Sequence, residues 1–186
     1  MADILYQTLE DRNNPDEVEQ HGPYKCTRKD AWLGDGYYFW HHFIDFAHRW
    51  GKVSYSGNYM ICRQTAFIYG NPDILDLVGD VEMMDVINQY AITIEKAYKE
   101  PVLVKTVLMH MRRLGILTEY KGVRIEGRES MAGGYNIKSH RLFFKDGYTS
   151  YFEMKPPVQV CVYDKSILDD DFRVIYPDEY NLIYGS

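Results

Sequence analysis

Cysteine is scarce in this 186-residue chain: Cys26, Cys62 and Cys161 are odd in number, far apart and outside any C-x-x-C spacing. Neither a disulfide framework nor a metal site is expected from them, and a reducing, cytoplasmic setting suits them. No stretch offers the ~18 uninterrupted apolar residues of a membrane helix. The opening MADILYQTLEDRN lacks a basic stretch followed by an apolar run, so neither secretion nor membrane attachment is expected. There is no G-x-S-x-G elbow, and Cys161 sits in the apolar run VQVCV, which suits packing rather than a reactive thiol; a hydrolase built on serine or cysteine is disfavoured. Gly34-Asp35-Gly36 has no G-x-x-G continuation into a helix and is not a Rossmann fingerprint. Internal repeats and low-complexity tracts are missing as well.

What is present fits one domain over residues 1–186, long enough for a substantial core. The net charge of −6 argues against a general polyanion binder, yet it is unevenly spread. From Glu100 to Lys145 there are nine Lys or Arg against four acids, a local charge of +5 that leaves −11 elsewhere. A solvated basic face explains such a segment most simply, and contact with an acidic partner is the other explanation. Seventeen tyrosines are read as strand and core-edge residues. The adjacent His41 and His42 complete no metal-ligand spacing; one packed and one exposed histidine is expected.

The pattern along the chain alternates between element types. ILYQTL reads as a strand, and the polar EDRNNPDEVEQHGPYK as a loop. After Gly36 an aromatic run passes from a short strand into a helix, with Phe39, Phe43, Phe46, Ala47 and Trp50 at helical spacing and Gly51 as its cap. Residues 58–69 read as a strand and 73–77 as a short connection. Helices are predicted over 80–98 and 101–114, with Pro101 in a first turn and Gly115 just past the end. From Lys121 onward GVRIEG, HRLFFK, TSYFEM, VQVCVYD and FRVIYP read as short strands. The sum is an α+β domain.

Several of these pieces resemble one family. Leu5-Tyr6-Gln7-Thr8 resembles the opening L-Y-H-G-[ST] strand of the histidine-tyrosine-glutamate class of ADP-ribosyltransferases, and Leu33 to Phe39 (LGDGYYF) is similar to its L-G-x-G-[FY]-Y-[FL] segment. Ala47 to Gly51 (AHRWG) matches the end of the helix that follows, and Leu75-Asp76-Leu77 an L-D-L-type connection. Val158 to Val162 resembles the strand carrying the third signature position, here Gln159. The resemblance spans nearly the whole chain and implies a split β-sheet core with flanking helices, NAD⁺ as substrate, no metal, and a small bacterial or phage protein of the toxin or defence type.

It also implies a site. Cleaving the bond between nicotinamide and ribose passes through an oxocarbenium-like centre, which asks for an aromatic wall, an oriented ribose and stabilisation of positive charge. By resemblance Tyr38, or Tyr37, stacks on nicotinamide, and strand alternation favours Tyr38. Tyr6, Gln7 and Thr8 hold the dinucleotide, and Gly34 and Gly36 let the backbone approach it. Gln159 contacts the reacting ribose, and Glu153, on the preceding loop, supplies a carboxylate. Gln7 stands where the family has His, and Gln159 where many members have Glu; an amide hydrogen-bonds a hydroxyl but neither takes a proton nor carries negative charge. The implied activity is mono-ADP-ribosyl transfer, with nicotinamide release, to a protein or nucleic-acid acceptor met through the basic segment 100–145. A catalytically silent relative that binds NAD⁺ or a partner through the same cleft is the second reading. The third is a winged-helix-like nucleic-acid binder built on KTVLMHMRRLGILTEYKGVR.

Overall fold

The computed structural model describes residues 2–127, 141–147 and 149–181. In chain order these form β1 (Asp3–Glu10), α1 (Pro15–His21), β2 (Tyr37–His41), α2 (Ile44–Ser54), β3 (Tyr59–Ala66), β4 (Ile74–Leu77), α3 (Val81–Tyr98), α4 (Val104–Arg113), β5 (Gly122–Glu126), β6 (Arg141–Phe143), β7 (Tyr151–Glu153), β8 (Val158–Val162) and β9 (Arg173–Tyr176). β6 and β7 make a separate hairpin; the other strands join in one mixed sheet of order β4-β5-β8-β2-β1-β3-β9. Only β4 and β5 run parallel in it. The α+β expectation holds at this level. Among the described residues no helix is long and apolar enough to cross a membrane.

Period-two alternation sorts the sheet into two faces. Leu5, Phe39, Val160 and Val162 pack together on one face with Tyr37 and Phe172. The other face is covered in two places. α2 lays Ala47 over Tyr59, Ile61, Tyr6 and Trp40, and α4 sets Val107, Leu108 and Met111 against Leu75, Val123 and Cys161 beside Tyr38. α3 starts where Asp80 accepts a hydrogen bond from Met83 N (2.9 Å), and Gly115, at φ 82°, follows the end of α4 in the left-handed region.

The structure corrects five local readings. Part of the polar loop after β1 folds as α1: Pro15 sits in its first turn with Asp16 and Glu17, and Val18 is its one buried side chain, too little to show a period. Glu19 on α1 accepts from Val174 N of β9 (2.7 Å), so the helix docks on the sheet edge by a carboxylate. The 73–77 connection contains β4, an edge strand of four residues. Phe39 belongs to β2, because the chain turns at His42 (φ 68°) before α2 starts at Ile44; His41 is buried and His42 exposed, on a strand end rather than a helix. Pro101 precedes α4 by three residues, and Gly51 lies inside α2 rather than at its end.

Gly51 is inside the helix because a β-carbon there would run into the Tyr59 ring of β3. Alanine favours a helix over glycine by about 1 kcal/mol, but Gly51→Ala is expected to destabilise this protein by about 1–3 kcal/mol through overpacking. Thermal melting of the variant checks it; a higher midpoint would contradict the close packing.

β1 and β2 pair only at Leu5 with His41 and Tyr6 with Trp40, so the sheet is nearly divided there. A polar chain crosses the same line. His41 Nε2 donates to Asp3 Oδ1 (3.0 Å), Arg124 Nε donates to His41 Nδ1 (3.3 Å), and Arg124 Nη1 meets Asp76 Oδ1 (2.7 Å). Asp3 also accepts from Ile68 N and Tyr69 N. Burial and the Arg124 charge push the His41 pKa below the ordinary 6.5, against the pull of Asp3. A folded pKa below the unfolded one makes this contribution complete above 6.5 and lost as pH falls through 6.5 towards the folded value. His48, lowered by burial and by Lys52, acts in the same sense. The denaturant midpoint should therefore drop on acidification from about pH 7 to 5, and drop less in His41→Gln. An equal drop in that variant would assign the effect to His48.

Candidate functional site

Between α2 and α4 the sheet face is left open, and a cleft of about 360 Å³ lies there. Its floor follows from strand register. Gln159 of β8 lies across from Trp40 of β2, which lies across from Tyr6 of β1, and Tyr38 lies across from Cys161 one step along the same face. Segments separated by more than a hundred residues thus reach neighbouring strands. The walls are Trp50 and Tyr55 at the end of α2 and the segment 24–32, which adds Tyr24 and Trp32.

The segment 24–32 is held at both ends. Past Tyr6, β1 leaves β2, and the Gln7 amide fills the gap: Oε1 accepts from Tyr24 N (2.8 Å) and Nε2 donates to Tyr24 O (2.8 Å), with Tyr38 O at 3.4 Å. A side-chain amide therefore pairs with both backbone groups of one residue, as a neighbouring strand would. Two residues on, Cys26 exchanges backbone hydrogen bonds with Gly36 (2.7 and 3.1 Å). Trp32 lies against Gly127, where a β-carbon would collide with its ring.

The polar groups of the floor are mostly committed within the protein. The Tyr38 hydroxyl donates to Gly34 O (2.7 Å) and accepts from Leu33 N (2.9 Å), and burial, followed by the neighbouring Cys161, raises its pKa so that it stays protonated. Thr8 Oγ1 donates to Ala47 O of α2 (3.0 Å). Among the described lining residues Gln159 alone holds a buried polar atom with no hydrogen-bond partner: it is 7% exposed, and that atom is Oε1. Rotation about the last side-chain torsion exchanges that oxygen with the amide nitrogen, so the group can turn either atom towards the cleft. Such an unmet acceptor costs about 1–3 kcal/mol.

Of the residues expected at the site, Tyr6, Gln7, Thr8, Tyr38 and Gln159 line the cleft. Tyr37 does not; alternation turns it to the opposite face, onto the Leu5 and Phe39 cluster. Gly34 and Gly36 do not line it either. Gly34 takes φ 91° in the turn, and a β-carbon on Gly36 would stand 2.5 Å from Cys161 Sγ, so these glycines serve the turn and the strand contact. Glu153 lies on β7 outside the lining residues, with Oε2 accepting from Arg141 Nε (3.0 Å). Tyr24, Lys25, Trp32 and Tyr55 were not expected; the aromatics punctuating the polar stretch 24–32 were the available signal.

The basic segment is largely engaged within the fold. Arg112 donates to Leu117 O and Tyr120 O, Lys121 pairs with Asp73, Arg124 with Asp76 and Arg141 with Glu153, and Lys105 donates to Lys29 O. Residues 128–140 of it, with Arg128 and Lys138, lie outside the described residues. Among the described residues no group of three or more His, Cys, Asp or Glu is arranged to hold a metal.

Gln7→Ala should remove both bonds to Tyr24 and cost about 1–2 kcal/mol, with faster hydrogen exchange at the Tyr24 amide and no change at β3. Exchange spread evenly over the molecule would show Gln7 to be ordinary core instead. Comparison with family models, with curated proteins and with solved structures finds no match to the chain.

Proposed function

We propose that the protein is an NAD⁺-dependent mono-ADP-ribosyltransferase-like protein whose substrate enters the cleft with nicotinamide against Tyr38 and Trp40 and its ribose hydroxyls at Gln159. One observation carries the reading: a nearly buried amide with an unpaired oxygen lies beneath an aromatic-walled cleft, on the strand next to Tyr38. Ligand sites of about 300–1,000 Å³ with apolar walls and a few convergent polar groups are the usual form of a small-molecule pocket. The motif order in the sequence agrees, since its three signature segments supply β1, β2 and β8, neighbours in the sheet. Acceptors of both kinds, protein and nucleic acid, remain within the proposal.

The charges lining the cleft bear on rate. Among the described residues the one carboxylate that lines it is Asp30, and that is paired with Arg28 (2.7 Å). Stabilisation of an oxocarbenium centre falls to the Gln159 amide dipole and the aromatic faces, weaker than a carboxylate. This favours slow turnover, and it supports the second reading, NAD⁺ binding without transfer. The winged-helix reading has little support, because α4 turns its apolar side to the sheet and most basic side chains around it are engaged.

Incubation with labelled NAD⁺ and cell lysate, following nicotinamide release and label transfer, should give both, reduced at least about tenfold in Gln159→Ala. Calorimetric binding of NAD⁺ without release would leave the silent relative; neither binding nor release would remove the family reading. Gln159→Met adds a sharper expectation. It should raise the melting temperature, because it removes an unmet acceptor worth about 1–3 kcal/mol, while weakening NAD⁺ binding. A variant that melts lower and binds as before would deny Gln159 this role.

A further inference from the structure

The charges along the cleft are few, and one of them has no partner. Among the described residues, Lys25, Arg28 and Asp30 are the charged ones that line it. Arg28 and Asp30 satisfy each other through two contacts, Nη2 to Oδ2 at 2.7 Å and Nε to Oδ1 at 3.0 Å. Lys25 is exposed and has no ion-pair partner among the described residues. In a chain of net charge −6, the described lining of the cleft therefore carries a surplus positive charge.

The backbone at Lys25 is fixed on both sides. Tyr24 is gripped through both its N–H and its C=O by the Gln7 amide, and Cys26 is paired through both of its groups with Gly36. An ammonium on a flexible stem rooted in a rigid backbone suits a compact anion that needs charge rather than a planar fork. We propose that Lys25 receives the phosphate groups of the ligand in this cleft, and that Gln7 is the positioning residue that holds Lys25 there by fixing Tyr24. The ligand class is a phosphate ester or diphosphate carrying a ring that enters between Trp40, Trp50 and Tyr55. This inference rests on the NAD⁺ reading for the identity of that ring, but not for the phosphate contact.

The chemistry assigns Gln7 a role unlike direct ligand contact. Its oxygen and nitrogen are both occupied by Tyr24, so its effect on binding should pass through residue 25. That makes the two residues energetically coupled, which independent contacts would not be.

The test is calorimetry on the full chain with NAD⁺, ADP and nicotinamide riboside as probes at low and high salt, with a melting curve for each variant to check folding. Lys25→Ala should weaken NAD⁺ and ADP by about tenfold or more and flatten the salt dependence, and leave nicotinamide riboside affinity unchanged. Lys25→Arg should restore most of the loss. Gln7→Ala should weaken NAD⁺ binding alone but add little in the Lys25→Ala background. The proposal is overturned if Lys25→Ala leaves NAD⁺ and ADP affinities unaltered, if the riboside weakens equally, or if the unmodified protein binds no phosphate-bearing probe. ADP binding that depends on Lys25, with no affinity for the riboside and no nicotinamide release, would keep the phosphate site and reject the NAD⁺ reading.

Discussion

Two residue pairs, Leu5 with His41 and Tyr6 with Trp40, and a hydrogen bond from His42 N to Ile4 O (2.8 Å) are the backbone links between β1 and the β2 segment among the described residues, and the rest of the molecule is arranged around that narrow seam. On one side β2 continues through β8 and β5 to β4; on the other, β1 continues through β3 to β9. Where strands part company their N–H and C=O groups need other partners. Gln7 Nε2 reaches one of them, Tyr38 O of β2 (3.4 Å), while the same amide holds both backbone groups of Tyr24. Beside the seam, the side-chain series Asp3, His41, Arg124 and Asp76 links β1, β2, β5 and β4. The cleft exists because the strands diverge, and its walls are the elements recruited to close the gap.

Much of this scheme was legible in the sequence, and the parts that were not share a cause. Strand and helix order came from local periodicity, strong in ILYQTL, in 81–98 and in VQVCV. The segment Pro15–His21 has a single inward residue, Val18, so no period announced α1, whose docking through Glu19 depends on β9 more than 150 residues away. β4 is too short to alternate and is a strand only because β5 lies beside it. The choice of Tyr38 over Tyr37 followed from alternation and the two do lie on opposite faces, but what the Tyr38 hydroxyl binds was beyond any local pattern. The same holds for the basic segment: charge counts cannot tell a solvated lysine from Lys121 paired with Asp73.

Among the described residues that line the cleft, one buried polar atom, Gln159 Oε1, is left without a partner. Gln7, Thr8 and Tyr38 spend their hydrogen bonds on the backbone, and Arg28 and Asp30 spend theirs on each other. A protein that meets these needs and leaves Gln159 Oε1 unmet is carrying a cost at one place in the floor. Such costs concentrate at sites where a second molecule completes the set.

The carboxylate of Glu19 has a consequence at the far edge of the sheet. β9 is the last strand, and a last strand offers its unpaired amides to any extended chain that comes by, including another copy of the same protein. Glu19 already occupies Val174 N, and the body of α1 stands over that stretch. Growth of a fibril along this edge would first have to expel a charged side chain and peel back a helix, so α1 serves as a guard against aggregation as well as a connection between strands.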